Sequence, residues 1–268
     1  MIHKTILTIF DGCRPDALAQ AHTPNADRLW QGGAYTWRAQ SVAPSYTLPA
    51  HMSMFRGVSP ARHGVTDNSF QPSAAAYPSI VDVAHHNGRQ TAMFYSWEQL
   101  RDLSAHGSLT VSYCRDGAVT AEADQIVAAQ AADLLVAEQP DLVVIYLAES
   151  DLVGHAAGWM SAPYIAAIER MDRALGGVLD ALERAGLRDE YTVLLLADHG
   201  GHDFTHGTDS PEDLTIPWIL NGPPVKAGHA ISGPVRIFDT AATIAHLLGI
   251  PCPQVWEGQP IREALRDE

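Results

Sequence analysis

The stretch of the chain with the most metal-binding side chains is ADHGGHDFTHG, residues 197–207, which follows an apolar run. It holds five side chains of the types that bind metals: Asp198, His199, His202, Asp203 and His206. Histidine nitrogen together with carboxylate oxygen suits Zn²⁺, with Mn²⁺ or Fe²⁺ as alternatives. Taken alone, the stretch is explained equally well by a polar loop that leaves a buried strand.

Two other segments carry residues of the same kind. Asp11 follows the apolar run TILTIF, and Asp151 and His155 stand four residues apart after the run LVVIYL. Loops beyond the carboxyl ends of parallel strands converge on one crevice, where three carboxylates repel one another unless cations lie between them. The ligands outnumber what one tetrahedral zinc takes and indicate two ions. We predict these ligands: Asp11, Asp151, His155, Asp198, His199 and His206.

Other polar residues have simpler explanations. His202 and Asp203 lie in the middle of the loop and are predicted to face solvent. Cys13 is predicted to be a small buried residue, with thiolate coordination as the less favoured alternative. Five further histidines stand in helical or turn contexts and are predicted to be packing or surface residues: His51, His63, His85, His86 and His246.

Thr47, in the segment SYTLPAHMSMF, offers a hydroxyl group. Pro49 suits the first turn of a helix, so the pattern predicts a helix that runs through His51 and Phe55. Thr47 then lies at the helix N-terminus, where backbone N–H groups favour an anion such as phosphate. The simpler explanation is a threonine N-cap. Beside two metal ions a nucleophile is favoured, because a metal deprotonates a hydroxyl at neutral pH.

The elements that must position these residues alternate between strands and helices. Apolar runs at 5–10, 142–147, 192–197 and 216–220 predict strands, the first three buried on both faces. Apolar spacing from Ile165 to Leu182 predicts a helix that ends near Gly186, and an alanine-rich helix spans about 120–138. The fold class is therefore α/β, a single domain over residues 1–268 with a mainly parallel central sheet sandwiched between helices. Residues 71–78 are predicted to form a surface loop.

Composition argues against several classes of partner. The chain has 268 residues, with 17 Lys and Arg against 31 Asp and Glu, and a net charge of −14. It has no basic run, so a nucleic-acid polymer is not an expected partner. No segment approaches the roughly 18 apolar residues that span a bilayer, so no membrane partner is expected. The 3 cysteines argue against a disulfide framework and favour a cytoplasmic location, and the oligomeric state is not indicated.

Four motifs, in this order, resemble the alkaline phosphatase superfamily and within it the nucleotide pyrophosphatase/phosphodiesterase branch. They are FDGCRPD, TLPAHMSMFRGVSPARHGVTDN, ESDLVGHAAG and ADHGGHDFTHG. The tail FDTAATIAHLLGIPCPQVWEG also resembles the closing helix and loop of the superfamily. The resemblance covers almost the whole chain and indicates a compact form that lacks the large insertion of the family.

The resemblance implies a hydrolase of small-molecule phosphate esters that carries two zinc ions, or manganese or iron in their place. By motif, Asp151, His155 and His206 hold the first ion. The second ion is held by these residues: Asp11, Thr47, Asp198 and His199. Asn68 matches the asparagine that donates to a non-bridging phosphate oxygen. Hydrolysis then proceeds through a phosphothreonine intermediate at Thr47, with a phosphodiester favoured over a monoester.

The sequence departs from the family in two places. His206 follows Asp198 by eight residues, whereas an inserted subdomain separates the equivalent pair in the larger phosphodiesterases. Leu48 stands where nucleotide-selective relatives often carry an aromatic residue, so the resemblance does not extend to nucleotide specificity. A sulfatase is not favoured, because Thr47 begins the pattern T-x-P-x-H where sulfatases need C/S-x-P-x-R.

Three other functions stay open at this point. A phosphonate hydrolase of the phosphonoacetate type resembles this pattern in its metals and threonine. A phosphomonoesterase calls for a further cationic donor, for which the motifs offer Arg14 alone. A non-catalytic metal-binding module is disfavoured, because Thr47 and Asn68 are both present.

Overall fold

The computed structural model describes residues 3–69, 77–115 and 121–266. Eight strands, numbered in chain order, form one sheet: β1 Lys4–Phe10, β2 Ala34–Gln40, β3 Thr91–Tyr95, β4 Val111–Cys114, β5 Leu142–Leu147, β6 Tyr191–Leu196, β7 Thr215–Asn221 and β8 His229–Ala230. Across the sheet their order is β4-β3-β5-β1-β6-β7-β2-β8.

The part of the chain that the structure describes contains ten α-helices. They are α1 Pro15–Gln20, α2 Pro24–Gln31, α3 Thr47–Arg56, α4 Pro60–His63, α5 Ile80–His86, α6 Ala121–Ala137, α7 Glu149–Ala157, α8 Ala162–Arg184, α9 Pro211–Leu214 and α10 Asp239–Leu247. Short 3-10 helices lie at Glu98–Asp102, Arg188–Glu190 and Arg262–Ala264.

The predicted apolar runs form the middle of the sheet. The runs at 5–10, 142–147 and 192–197 correspond to β1, β5 and β6, which lie side by side and pair in parallel. Every residue of β5 and β6 is buried, as expected where both faces of a sheet are covered. The run at 216–220 lies in β7, which is antiparallel to both β6 and β2. The α/β class with a mainly parallel sheet is confirmed.

Helices cover the sheet in two groups. In one group α6 packs on α8, and in the other α3, α5 and α10 pack on one another. The strand β1 contacts both α8 and α10, and β3 contacts both α6 and α5. The sheet therefore lies between the two groups, which is the predicted sandwich.

The two predicted long helices are present. Residues 165–182 lie in α8, which ends at Arg184, and Gly186 follows with a φ of 69°, a left-handed conformation that favours glycine. The alanine-rich helix is α6, although its predicted start at Thr120 lies outside the described residues. The predicted loop at 71–78 also falls mostly outside them, since only Tyr77 and Pro78 are described there. Among the described helices, none is both long enough and apolar enough to cross a bilayer.

Candidate active site

Three acidic residues lie at the carboxyl ends of neighbouring strands. Asp11 directly follows β1, Asp151 lies in α7 shortly after β5, and Asp198 follows the end of β6. Because β1 lies between β5 and β6, the three carboxylates converge at one edge of the sheet. Together with the predicted histidines they form two groups, within each of which the candidate ligand atoms lie within 4.8 Å of one another.

One group, called here the Asp198 group, consists of Asp11, Asp198 and His199, all of them buried. The Nε2 atom of His199 lies 3.2 Å from Asp11 Oδ1 and 3.4 Å from Asp198 Oδ2. The hydroxyl of Thr47 faces the same atom, because its Oγ1 lies 3.2 Å from His199 Nε2. Three separate segments of the chain therefore bring their polar atoms to one point.

The other group, called here the Asp151 group, consists of Asp151, His155 and His206. The Oδ1 atom of Asp151 lies 3.5 Å from His155 Nε2 and 3.4 Å from His206 Nε2. Asp151 and His155 stand four apart within α7, so the helix directs both side chains to the same side. The side chain of His155 is 43% exposed and that of His206 is 5% exposed, so this group opens to solvent on one side.

One oxygen of each carboxylate lacks a hydrogen-bond partner. These buried atoms are Asp11 Oδ1, Asp151 Oδ1 and Asp198 Oδ2. Buried acceptors in proteins are nearly always satisfied, so three unsatisfied oxygens at one place call for a cation. The donor set, carboxylate oxygen with imidazole nitrogen, is one that suits divalent zinc, manganese or iron.

The three histidines are oriented by main-chain carbonyl groups. Their Nδ1 atoms pair with carbonyl oxygens as follows: His199 with Gly200 at 2.8 Å, His155 with Phe204 at 3.0 Å and His206 with Ser45 at 2.9 Å. A carbonyl oxygen only accepts, so each Nδ1 carries a proton, and in the neutral ring each Nε2 has its lone pair free for a metal. The rings of His199 and His206 are stacked, with centroids 3.8 Å apart and an angle of 11° between planes, which joins the two groups.

Burial and mutual repulsion set the charge states in the two groups. Burial and the neighbouring Asp11 raise the pKa of Asp151 to about 8 and raise the pKa of Asp198 well above its usual value. Burial opposes a charge on His199, yet the carboxylates of Asp198 and Asp11 raise its pKa to about 10. Burial also opposes ionisation of Asp11, but attraction to His199 at 3.2 Å and the hydroxyl of Tyr146 lower its pKa to about 2. Without a cation, the protein's own protons must offset the repulsion among these carboxylates.

Thr47 is the first residue of α3 and not its N-cap. Tyr46 occupies the N-cap position and makes no capping hydrogen bond through its side chain. The simpler explanation of Thr47 as a helix cap is therefore wrong. Its side chain is 5% exposed and contacts His199 at the start of the helix. Pro49 lies in the first turn, as predicted.

Asn68 lies close to the same helix N-terminus. Its side-chain oxygen accepts a hydrogen bond of 2.9 Å from the backbone N–H of Leu48, the residue after Thr47. With its oxygen directed to that N–H, the amide of Asn68 has the N–H groups of Nδ2 to offer to a ligand. Asn68 itself is exposed, so a molecule that reaches Thr47 from solvent can accept from it.

Sequence reasoning missed two residues that support the Asp198 group. His51 was predicted to be a packing or surface residue, but its Nδ1 lies 2.8 Å from the Thr47 carbonyl and 3.5 Å from Asp198 Oδ2. The hydroxyl of Tyr146 donates to Asp11 Oδ2. Two signals were present, a histidine one helical turn after Thr47 and a tyrosine within an otherwise apolar buried strand.

His202 and Arg14 also make specific contacts. His202 was predicted to face solvent; its side chain is 31% exposed, and its Nδ1 also lies 2.8 Å from Asp213 Oδ1. Asp203 is exposed as predicted. Arg14 donates to both carboxylate oxygens of Asp16, at 2.9 and 2.7 Å, and to the Gly201 carbonyl at 3.0 Å.

The remaining histidines and Cys13 behave as predicted. His63 is buried, with its Nε2 2.9 Å from Ser53 Oγ. His85 and His86 are exposed, and His246 is partly buried in α10. Cys13 is fully buried, and burial raises the pKa of its thiol, which disfavours thiolate coordination.

Known phosphodiesterases are similar to the chain in sequence. A mouse protein, ectonucleotide pyrophosphatase/phosphodiesterase family member 3, is 29% identical over 215 residues, which cover 73% of this chain and 24% of that protein. The venom phosphodiesterase CdcPDE of Crotalus durissus collilineatus is 28% identical over 215 residues, which cover 73% of this chain and 26% of that protein. The chain thus spans about a quarter of the length of the curated relatives it matches.

Solved structures share the fold at lower identity. Murine ectonucleotide pyrophosphatase/phosphodiesterase 5, as an inactive variant in complex with AMP, has a TM-score of 0.84 at 16% identity and covers 98% of this chain and 100% of that chain. A 2-O GAG sulfatase has a TM-score of 0.77 at 14% identity and covers 97% of this chain and 73% of that chain. The sequence model of the family described as type I phosphodiesterase / nucleotide pyrophosphatase matches residues 5–215. The chain therefore belongs to the type I phosphodiesterase / nucleotide pyrophosphatase family.

Proposed function

We propose that the protein is a metal-dependent hydrolase of small-molecule phosphate esters, with a phosphodiester as the preferred substrate. The observation that carries the proposal is the position of the Thr47 hydroxyl. Its Oγ1 lies 3.2 Å from His199 Nε2, where Asp11 and Asp198 also direct oxygens that lack hydrogen-bond partners. A helix cap does not need such surroundings, whereas a nucleophile that must lose its proton does.

Two divalent metal ions, with zinc favoured, fit the two groups. Asp151, His155 and His206 are the proposed ligands of the first ion. The proposed ligands of the second are Asp11, Thr47, Asp198 and His199. When bound, such ions lower the pKa of a hydroxyl and neutralise charge on phosphate oxygens.

The chain's own residues account for the remaining requirements of the reaction. The oxygen of Thr47 attacks phosphorus and its hydroxyl proton goes to solvent. The bond from phosphorus to the leaving oxygen breaks on the opposite side, and that oxygen takes up a proton from solvent to give the alcohol. The amide of Asn68 donates to a non-bridging oxygen and stabilises the charge that develops there. Water then attacks the phosphothreonine, which restores the threonine hydroxyl and releases the phosphate product. Two successive inversions give net retention at phosphorus.

The contacts of Arg14 support a diester over a monoester. A dianionic monoester calls for an additional cationic donor, and Arg14 was the one the motifs offered. Its guanidinium is already engaged by Asp16 and by the Gly201 carbonyl. A monoanionic diester needs no further positive charge. The relatives' names, which include venom phosphodiesterase, agree with this choice, and the AMP bound to the murine neighbour agrees with a phosphate-bearing ligand.

A substrate panel on metal-loaded protein tests the proposal. We expect turnover of bis-p-nitrophenyl phosphate with Zn²⁺ or Mn²⁺, slower turnover of p-nitrophenyl phosphate, and little release of phosphate from phosphonoacetate. The Thr47→Ala variant, purified and loaded identically, is the control for contaminating hydrolases. Preferential turnover of phosphonoacetate would contradict the proposal and indicate a phosphonate hydrolase. If no compound were turned over, the remaining explanation would be a non-catalytic metal-binding module.

A further inference from the structure

Two exposed aromatic residues border the Asp151 group. In the described part of the chain, four large apolar side chains are exposed: Tyr46 37%, Val136 41%, Phe204 61% and Val255 42%. The two valines are scattered on other elements, as is normal for single surface residues. Both aromatic residues adjoin a ligand histidine, and an exposed apolar surface at such a place indicates a binding role.

Phe204 lies at the tip of a tightly bonded turn. The turn from His202 to Thr205 is closed by two backbone hydrogen bonds of 3.0 and 2.9 Å. Its Asp203 carbonyl accepts from the backbone N–H of Trp159 at 2.7 Å, and the Phe204 carbonyl pairs with His155 Nδ1 at 3.0 Å. The backbone that carries the phenyl ring is therefore tied to the helix that carries Asp151 and His155, although the ring itself is mostly exposed.

Tyr46 packs against another residue of the same group, His206. It directly precedes Thr47, and its ring meets the edge of the His206 ring, with centroids 5.8 Å apart and planes at 70°. A Cβ atom at Gly207 would lie 2.3 Å from the Tyr46 ring, so glycine is needed there for the ring to occupy this position. Gly207 also has a φ of 104°, a conformation that side chains rarely adopt.

The direction of the reaction assigns these rings to one part of the substrate. If Thr47 attacks in line, the leaving alcohol departs from the opposite side of phosphorus, toward the Asp151 group. Leu48, beside the nucleophile, is only 1% exposed and offers no ring to the part of the substrate that stays bound to Thr47. The aromatic contacts available next to the reacting centre therefore lie on the side of the leaving group.

We propose that Tyr46 and Phe204 form a binding surface for an aromatic leaving group, so that the preferred substrates are phosphodiesters of aryl or similarly planar alcohols. This inference rests on the proposed function, because it takes Thr47 as the nucleophile. Aromatic rings pack favourably on one another in offset or edge-on arrangements, and this is the contact that the two residues can supply. The two residues are specificity-determining and take no part in the chemical step.

Kinetics on two matched series of methyl phosphodiesters test the inference. One series has phenol leaving groups, and the other has fluorinated aliphatic alcohols of the same acidity, so intrinsic reactivity is equal. For the metal-loaded wild type we expect kcat/KM to favour the aryl series by about tenfold, the size of one or two aromatic contacts. The variants Tyr46→Leu and Phe204→Leu, which keep apolar bulk, should each lower this ratio several-fold. Val136→Ala, which also changes an exposed apolar residue, should keep the wild-type ratio.

The possible outcomes separate the two proposals. Turnover of both series at equal kcat/KM would overturn the proposed aromatic surface, and so would an equal loss of kcat/KM for both series in the leucine variants. Neither result would contradict the proposed hydrolase function. If neither series is turned over, the proposed function fails, and calorimetry with phenyl and cyclohexyl methylphosphonate monoesters then tests the surface directly. Tighter binding of the phenyl compound, lost in both leucine variants, supports the surface. Equal binding of the two compounds overturns it.

Discussion

At the scale of single residues, the two ligand groups differ in their access to water. Asp11, Asp198 and His199 are all buried, whereas the side chain of His155 in the Asp151 group is 43% exposed. The Asp198 group therefore holds its atoms in a low-dielectric environment, where each charge interaction is strong. The Asp151 group opens to solvent, which is the side from which the proposed substrate would enter.

The contacts of Thr47 predict that its replacement affects turnover far more than stability. Thr47 makes no capping hydrogen bond, so Thr47→Ala should change the free energy of unfolding by less than the roughly 0.5–2 kcal/mol of a lost N-cap. Loss of the nucleophile should lower kcat by at least about a thousandfold. Thr47→Ser should keep partial activity, and quenched reactions with a ³²P-labelled diester should trap label on Thr47 in the wild type. Near-normal turnover by metal-loaded Thr47→Ala would show that water attacks directly.

His206 is predicted to be required for one ion and not for the other. In His206→Ala, the Asp151 group loses a nitrogen ligand, so plasma mass spectrometry should find about one zinc per chain in place of two. His202 is not expected to substitute for it, because Asp213 holds its ring and its nitrogens are not among the grouped ligand atoms of Asp151, His155 and His206. His202→Ala is the matched control from the same loop and should keep both ions. If His206→Ala kept two ions and His202→Ala kept only one, His202 would be the ligand and His206 would not.

At the scale of elements, carboxylates from other helices cap the N-termini of two helices, one of which carries site residues. The α7 helix has no cap from its own N-terminal side chains. Instead, buried Asp124 of α6 accepts hydrogen bonds from the backbone N–H groups of Ala148 and Glu149, each at 2.9 Å. In the same way, Asp172 of α8 accepts from the backbone of Ala26 at the start of α2, at 2.8 Å. The direction of α7, and with it the Asp151 group, depends on a residue far away in sequence.

Replacing these two caps should separate stability from metal binding. Asp124→Asn and Asp172→Asn should each destabilise the protein by about 1–3 kcal/mol, measured by urea unfolding. In each residue both carboxyl oxygens accept hydrogen bonds, and the amide nitrogen of asparagine cannot accept one. Asp124→Asn should also weaken zinc binding by the Asp151 group, because α7 carries Asp151 and His155. Asp172→Asn, which caps a helix without ligands, should bind zinc as the wild type does. Equal zinc affinity in the two variants would show that α7 needs no outside cap.

The sequence predicted the middle of the sheet better than its margins. Continuous apolar runs identify β1, β5 and β6, and the aspartates after them identify most of the site. The edge strand β4 is four residues long with alternating burial, and β2 pairs with β7 through an irregular register, so neither produces a clear pattern. The caps by Asp124 and Asp172 and the contact of His202 with Asp213 join distant segments. Such contacts follow from tertiary packing, which periodicity in one segment does not encode.

At the scale of the whole molecule, the chain carries a net charge of −14 and places three of its carboxylates in one site. The assignment to the cytoplasm stays a prediction that rests on the cysteine content. The single-domain organisation over 1–268 likewise stays a prediction, although all eight described strands belong to one sheet. Global stability depends on pH through any buried group whose pKa differs between the folded and unfolded states.

His63 should make the fold less stable in mild acid. Its Nδ1 accepts from the backbone N–H of Val65 at 3.1 Å, so the folded imidazole is neutral. Burial and the nearby Arg56, only partly offset by the charge of Glu257, lower the pKa of His63 from 6.5 to about 4. Between these values the unfolded chain binds a proton that the folded chain does not. The contribution is therefore present above pH 6.5 and is lost as the pH falls toward 4.

Urea unfolding of wild type and His63→Asn, both metal-loaded, isolates this contribution. The free energy of unfolding of the wild type should fall more steeply between pH 7 and pH 4 than that of the variant. The exposed His85→Asn is the control and should follow the wild type. Parallel curves for all three proteins would show that His63 binds its proton equally well in the folded and unfolded states.

We predict that the stacked rings of His199 and His206 make the filling of the two proposed metal positions cooperative. Each ring belongs to a different group and each is tied to a main-chain carbonyl, so an ion that orients one ring also orients its neighbour. Coupling between two sites is reciprocal, so either ion should raise the affinity for the other. Zinc titration of chelator-treated wild type, followed with a competing chromophoric chelator, should give one steep transition with a Hill coefficient above one. The His206→Ala variant should bind its remaining ion with a simple hyperbola, and two separate steps in the wild type would show that the sites load independently.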